Sequence, residues 1–391
     1  MARNYYDVII VGAGPSGATL AYELAKQGID VIVLEKEKFP RYKCCAGGIT
    51  HKVLNLLDFD ISEAIEETIY DIRFLYKLEK SYLGHYDKPL LYTVTRDVFD
   101  NLLVEKAQQC GARFLDKQRV RKIEINKGAV EVTTQDKTYY SGLIAGADGV
   151  YSTVVKELGI KRRIDYIVGI ETELRVPDYE LEKWGKSVEI EFGRIHGGYA
   201  WLFPKRNHLS VGAGCQFSEA KSLKRHYESF IDYLNFRKYT PLRTSSLLIP
   251  VMKDKVTCCG ERFVLLGDAT GLADPLTGEG IYNAILSAQL CAPSIMNSLV
   301  NNRNDLQSYQ QSVDLIISPE LLIAQKTATL LARFPNLVFS LLTGNERIWK
   351  NIAKLMRGET NYNTIIKKSS DITGNVMISN SIKKFLFKSG R

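Results

Sequence analysis

The chain has 391 residues, 45% of them hydrophobic and 25% charged, with a formal net charge of +8. That is an ordinary globular composition, able to bury a sizeable core, and the length suggests roughly two to three domain-sized units. Seven cysteines, without paired C-x-x-C spacing or neighbouring histidines, argue for reduced cytosolic thiols and against structural zinc or an iron–sulfur cluster, so no metal ligand is assigned.

In chain order, M-A-R-N-Y-Y-D leads directly into a strand, and no secretory leader is expected. Residues 6–34 read as strand, helix, strand; 41–50 as a basic loop rich in cysteine and glycine; and 51–69 as helical. A short strand at 91–94 precedes an amphipathic helix at 97–110. Alternation at 120–125, 129–134 and 138–140 predicts a hairpin system, and 142–147 a buried strand. Half-buried strands at 170–176, 186–192, Gly198–Pro204 and 208–213 predict an antiparallel sheet forming a second domain. Residues 262–267 return to a buried strand and 280–299 to a helix. From 307 the chain reads as helical, with breaks at Pro319, Pro335 and Gly344. No apolar run reaches about 18 residues, so no membrane span is expected.

The most specific motif is V-I-I-V-G-A-G-P-S-G at residues 8–17, followed by a helix-like stretch and by V-I-V-L-E ending at Glu35. A buried strand turning through glycines into a helix N-terminus presents free N–H groups to a pyrophosphate. Gly12 permits the turn, Gly14 lets the cofactor approach the backbone, and Gly17 lets the helix pack close to the strand. Glu35 can accept the ribose hydroxyls of an adenosine.

Three later segments turn this dinucleotide site into one for FAD. They are A-G-A-D-G-V-Y-S at 145–152, G-D-A-T-G-L-A-D-P-L-T-G-E-G-I-Y at 267–282, and Arg96 just after the strand L-Y-T-V-T. A long cofactor needs a second anchor, and Asp268 after its strand can accept a ribityl or ribose hydroxyl. Gly278 and Gly280 let a helix N-terminus face the flavin pyrimidine ring, which becomes anionic on reduction. Arg96 suits the cofactor's hydroxyls or phosphates. Each alone reads equally as a turn glycine or a surface charge; their order in one chain carries the assignment.

These motifs together resemble the FAD-binding fold of p-hydroxybenzoate hydroxylase and its relatives. Within that superfamily the chain resembles the geranylgeranyl reductases over nearly its full length. The closer likeness rests on F-P-R-Y-K-C-C-A-G-G-I-T at 39–50, G-Y-A-W-L-F-P at Gly198–Pro204, and D-P-L-T-G-E-G-I at 274–281. The family has Gly after its cysteine where this chain has Ala46; aligned on Lys43, Cys45 is the family cysteine and Cys44 is extra.

The resemblance implies an α/β fold. A Rossmann-like FAD-binding domain at 1–75, 91–165 and 255–305 carries an antiparallel-sheet substrate domain at 76–90 and 166–254, then a basic helical region at 306–391. It implies cofactor contacts from Gly12, Ala13, Gly14, Pro15, Ser16 and Gly17, from Glu35 and Lys36, and from Arg41, Cys45, Ala46, Gly47 and Gly48. Further contacts come from Arg96, Val120 and Asp148, and from Gly267, Asp268, Gly278, Glu279, Gly280 and Ile281. The implied reaction is FAD-dependent saturation of isolated C=C bonds in geranylgeranyl or polyprenyl chains. Such a site must be apolar, elongated and dry, with aromatic walls to accompany developing positive charge.

Tyr199, Trp201 and Phe203 alternate along one strand and share a face, reading either as sheet core or as a wall over the flavin. With Gly48 and Pro275 they form the expected substrate contacts. Cys45, Tyr199 and Trp201 are the catalytic candidates; Cys45 is either the proton donor, a group shaping the pocket, or a plain buried thiol. The five histidines form no base or ligand set.

From 301 to 391 there are 13 Lys and Arg against six acids, so most of the excess charge lies in the last quarter. E-R-I-W-K-N-I-A-K-L-M-R at 346–357 places Ile348, Trp349, Ile352, Leu355 and Met356 on one helical face, with Lys350, Lys354 and Arg357 away from it. Two readings stand: a helix lying on an anionic bilayer, or one packed on its own protein. S-I-K-K-F-L-F-K at 381–388 repeats the theme. The expected setting is cytoplasmic, with peripheral attachment to the inner membrane face and no nucleic-acid partner. The electron donor is NAD(P)H or a ferredoxin, since no second nucleotide fingerprint is present. The rival readings are a flavin monooxygenase or halogenase of the same superfamily, and a flavin-loaded carrier or redox sensor. Against a halogenase stands the start of the aromatic motif at Tyr199, and against a hydroxylase the cysteine–glycine loop at 43–48.

Overall fold

The computed structural model describes residues 4–126, 128–301 and 306–365. It opens with β1 (Tyr5–Val11), α1 (Pro15–Ala25) and β2 (Val31–Leu34), matching the strand, helix and strand read from the sequence. The residues expected to be one helix at 51–69 are instead β3 (Gly48–Thr50), a single turn α2 (His51–Leu54), a 3-10 turn and β4 (Ile65–Ile69). Asp60 accepts the Ser62 N–H at 3.0 Å and so closes a turn in the middle of the segment. The I-E-E-T-I run then finds a better partner in a strand than in a helix.

Next come β5 (Asp71–Tyr76), β6 (Lys80–His85), β7 (Leu91–Val94), α3 (Arg96–Gln109), β8 (Arg113–Leu115), β9 (Lys122–Ile125), β10 (Val130–Thr133) and β11 (Thr138–Gly146). The expected hairpin arm and buried strand at 138–147 are thus one strand. Its first half pairs antiparallel with β10 and its second half parallel with β1. After α4 (Thr153–Glu157) the chain lays down β12 (Ile164–Arg175), α5 (Asp178–Trp184), β13 (Ser187–Phe192), β14 (Gly198–Pro204), β15 (Leu209–Gln216), α6 (Ala220–Leu234) and β16 (Thr240–Met252). Then follow β17 (Cys259–Gly260), β18 (Phe263–Leu265), α7 (Ile281–Val300), α8 (Gln307–Ser312), α9 (Ser318–Arg333), α10 (Pro335–Gly344) and α11 (Glu346–Met356).

Among the described residues the first sheet runs β17-β18-β11-β1-β2-β8, with β10 and β9 attached to β11. Its central strands are parallel and buried on both faces, which is why V-I-I-V and V-I-V-L read as unbroken apolar runs. α1, α3 and α7 pack on one face through Leu20, Leu24, Phe99, Leu103 and Ile285. β3, β7 and β4 make a small separate sheet.

The second large sheet runs β16-β12-β15-β14-β13-β5-β6, antiparallel except where β13 meets β5. Ala200 and Leu202 of β14 point to the face covered by α6, where Phe230 and Leu234 complete a core. Tyr199, Trp201 and Phe203 point the other way, as strand alternation requires. Phe74, Tyr76, Ile190 and Phe192 continue that second face through register pairs.

The C-terminal helices close the far end of this aromatic face. Phe339 stacks on Tyr76 with centroids 5.5 Å apart, and Trp349 meets Phe74 edge-on at 6.0 Å. Trp349 is 3% exposed and donates its indole N–H to the His85 carbonyl at 2.6 Å. Of the two readings of α11, packing on its own protein is therefore the one realised for this face; 381–388 lies outside the described residues. Pro319 does not break the chain: helix continues from Gln307 to Arg333 through a π turn at Val313–Ile317. A wider turn just before a proline accommodates its missing N–H and its ring. By length and composition alone this helix could cross a membrane, and 22% of its most apolar stretch is buried. Here its Val313, Ile317, Leu321 and Ala324 are buried within the protein.

Candidate functional site

Gly12 adopts φ +97°, and a Cβ there would stand 2.5 Å from the Ala147 carbonyl oxygen. A Cβ on Gly17 would meet the Gly12 carbonyl oxygen at 2.0 Å, so α1 can approach β1 only because both positions lack a side chain. Gly14 is the extended N-cap of α1 and Pro15 its first residue, and no side chain caps the helix. Its leading N–H groups therefore face the cleft as an anion site. Glu35, 4% exposed, accepts the Ala13 N–H at 2.9 Å and the Glu37 N–H at 3.0 Å. These bonds fix the carboxylate beside the turn while leaving lone pairs for ribose hydroxyls.

The second anchor lies close by. Gly267 (φ +51°) is placed so that a Cβ would come 3.2 Å from Ser16 Oγ, joining the two glycine turns. A Cβ on Gly280, at the N-terminus of α7, would be 3.1 Å from Asp268 Oδ1. Burial pushes the Asp268 carboxyl up, and the Lys43 and Arg96 charges oppose it. Asp274 folds the following turn by accepting the N–H groups of Leu276 and Thr277 at 2.8 and 3.1 Å, which positions Pro275 and Gly278. Glu279 pairs with Lys52 at 2.8 Å, and Ile281 opens α7.

Three sequence segments converge here: the 41–50 loop, β14 and the 267–281 turn. The Tyr199 hydroxyl donates to the Thr277 carbonyl, and Phe203 lies where a Cβ on Gly48 would come within 2.5 Å of its ring. Trp201 lies 5.8 Å from Tyr199, ring to ring, and covers Gly212 on β15, where a Cβ would be 2.3 Å from the indole. Burial pushes the Tyr199 phenol up, reinforced by the charges of Asp274, Cys45 and Glu279.

The two adjacent thiols are used differently. Cys44 Sγ donates to Glu171 at 3.0 Å, and burial together with that carboxylate pushes its thiol up. Cys45 Sγ accepts the Gly47 N–H at 3.3 Å, is hydrogen-bonded by Arg96, and lies within electrostatic reach of Tyr199 and Lys205. The left-handed residue of the loop is Gly47, at φ +68°, while Ala46 is not in that region. An alanine at 46 therefore costs the turn nothing.

Some expected contacts are engaged elsewhere. Asp148 accepts the Ser152 hydroxyl and the N–H groups of Thr153 and Val154, so its carboxylate caps α4. Val120 is packed in the core on the other face of the first sheet, and Lys36 is exposed. Arg96 forms a two-pronged pair with Asp100 at 2.8 and 2.8 Å, and Arg41 reaches the same carboxylate at 2.9 Å. Asp100 and Lys205 went unread in the sequence. An Arg at 96 with an Asp four residues on was the only local signal for the first.

Two glycine turns, a buried acid and a thiol-bearing loop thus come together in an arrangement suited to the FAD of an oxidoreductase. The FAD binding domain family matches residues 5–209. An uncharacterized protein of Methanosarcina barkeri is 33% identical over 311 residues, 80% of each chain. A digeranylgeranylglycerophospholipid reductase of Methanopyrus kandleri is 31% identical over 73% of this chain and 79% of its own. The solved structure of a geranylgeranyl bacteriochlorophyll reductase-like protein from Thermoplasma acidophilum superposes with a TM-score of 0.77 at 22% identity, covering 91% and 92% of the two chains. A flavin-dependent brominase superposes at 0.73 with 18% identity, covering 94% and 100%. These two likenesses speak to the fold. The chain belongs to the geranylgeranyl reductase family of FAD-dependent oxidoreductases.

Proposed function

We propose that this enzyme saturates isolated C=C bonds in the long isoprenoid chains of a lipid, with geranylgeranyl chains on a glycerol phospholipid as the favoured substrate. The observation that carries this reading is the aromatic face of the second sheet. It runs from Phe203, Trp201 and Tyr199 beside the cofactor turns to Phe192 and Tyr76 under Phe339. An extended, apolar, partly buried face suits a polyprenyl chain and offers little to a small polar aromatic.

Reduced FAD, when bound, supplies a hydride to one alkene carbon. The chain's own residues must then meet two needs. An unactivated alkene has no carbonyl to absorb charge, so partial positive charge grows on the carbon that takes the hydride and needs ring faces, which Tyr199 and Trp201 provide. The other alkene carbon takes a proton through the π electron pair, for which Cys45 is the donor in reach of the cofactor turns. The bonds of Tyr199 to Thr277 and of Lys205 to Ala46 hold the sheet against both cofactor-facing loops and keep water out. The reducing partner is NAD(P)H or a ferredoxin, and a lipid substrate favours peripheral contact with a membrane.

Anaerobic incubation of FAD-loaded, dithionite-reduced protein with geranylgeranyl lipids, followed by mass spectrometry, tests the reading. The expected product has gained two hydrogen atoms per bond. The C45A variant should keep the bound-flavin spectrum and lose most of the turnover. Oxygenated or halogenated products in air, with no hydrogen gain under anaerobic conditions, would move the enzyme to the monooxygenase or halogenase class.

A further inference from the structure

Lys205 follows β14 directly and is only 4% exposed, a rare condition for a lysine. Its ammonium donates to the carbonyls of Ala46 and Val94, each at 2.7 Å. Both acceptors belong to the junction that carries Cys45, since Val94 in turn donates its N–H to the Gly47 carbonyl at 2.8 Å. A Cβ on Gly47 would stand 2.5 Å from the ammonium, and Gly47 is the residue whose N–H reaches Cys45 Sγ. Thiol and ammonium thus share one turn.

The charged and titratable groups facing Cys45 are its neighbour Cys44, Arg96 from α3, Tyr199 from β14, and Lys205. The two cations differ. Arg96 hydrogen-bonds Cys45 itself, but both oxygens of Asp100 bind it and answer most of its charge. Lys205 has no carboxylate at ion-pair distance among the described residues, its two bonds going to neutral carbonyls; Glu171, Glu173 and Glu66 act on it from further away.

We propose that Lys205 is a positioning residue whose buried charge holds Cys45 ready to give up its proton and then stabilises the thiolate left behind. This rests on reading Cys45 as the proton donor. In that step the S–H bond breaks and a C–H bond forms on the alkene carbon next to the one that receives the hydride. The electron pair of the S–H bond stays on sulfur, in the field of the ammonium across the shared turn, and a solvent proton later restores the thiol. A cation next to a cysteine favours its thiolate, and does so more strongly in a dry interior. Burial pushes the Lys205 ammonium itself down to about 8, with Cys45 and Glu171 opposing the shift.

A plain clamp for the loop would need only the two hydrogen bonds, so the test separates charge from hydrogen bonding. K205Q keeps an NH2 group for the carbonyls without charge, and K205R keeps charge. Iodoacetamide alkylation of Cys45 in the FAD-loaded protein, resolved by peptide mass spectrometry across neutral to alkaline pH, reads the thiolate directly and requires no turnover. K205Q should slow Cys45 alkylation roughly ten-fold at neutral pH and move its profile upward, while K205R and the distant Cys110 keep the wild-type behaviour. A wild-type profile in K205Q, or equal slowing in K205Q and K205R, would overturn the proposal. If K205Q does not load FAD, wild type and K205R suffice. The wild-type curve should depart from a single titration near the pH where its ammonium discharges, and K205R should not; superimposable curves overturn it. Failure of Cys45 as donor would show separately, as unchanged turnover in C45A.

Discussion

At the Gly12–Gly17 turn the protein brings backbone against backbone by leaving side chains out, whereas around Cys45 it fills a dry interior with charge. Neither Gly12 nor Gly17 tolerates an added atom: their Cβ positions fall 2.5 and 2.0 Å from backbone oxygens. The Cys45 side buries Asp100 between Arg41 and Arg96, and Lys205 between two carbonyls. The first solution is one of shape and the second one of electrostatics. They should therefore break differently: the turn by loss of FAD at any pH, the loop by loss of stability and of thiol chemistry that depend on pH.

The largest effect should come from the charged side. D100N leaves two guanidiniums without their shared carboxylate, and removing one partner of a buried pair costs about 3–5 kcal/mol. Chemical denaturation should show that loss; a change within error would mean that the arginines find other partners. On the turn side, G17A forces a methyl against the Gly12 carbonyl. It should weaken FAD at least about a hundred-fold, corresponding to about 3 kcal/mol, as judged by flavin retained on purification. Full flavin content in G17A would show that the helix can retreat.

A pH series sharpens the contrast. The Lys205 ammonium titrates at about 8 in the folded protein against an ordinary 10.5. Between those values the unfolded chain still holds a proton that the folded chain has released, so unfolding stability should rise with pH across that window. The rise should amount to up to about 3 kcal/mol, and K205M should flatten it. An identical pH slope in K205M would contradict the buried-charge account. The smallest effect is expected for Y199F, which loses one hydrogen bond to the Thr277 carbonyl and should cost about 1 kcal/mol with FAD retained.

The shape-based half was the more legible in sequence. A strand, a glycine turn, a helix and an acid are local, and local order fixes their geometry; β1, α1 and β2 stand where the apolar runs put them. β14 was legible for the same reason. The charged half depends on contacts between residues far apart: Lys205 meets Ala46 across 159 positions and Val94 across 111. No periodicity carries that information. β16 was also missed, because it is an edge strand carrying Pro241 and Pro250, residues that speak against a strand unless its outer side is unpaired. β5 went unread and β6 was placed only through the sheet domain at 76–90, since D-I-R-F-L-Y and K-S-Y-L-G-H alternate poorly and β13, the other neighbour of β5, comes much later in the chain.

The central claim, that the aromatic sheet face presents an isoprenoid chain to the flavin, is tested most directly by anaerobic single turnover. FAD-loaded protein is reduced with one equivalent of dithionite and mixed with a geranylgeranyl phospholipid in detergent micelles while flavin absorbance is followed. The account predicts that the oxidised flavin spectrum returns only when the lipid is added, in proportion to the bonds saturated. A flavin that stays reduced with lipid and reoxidises only on admitting oxygen would contradict it.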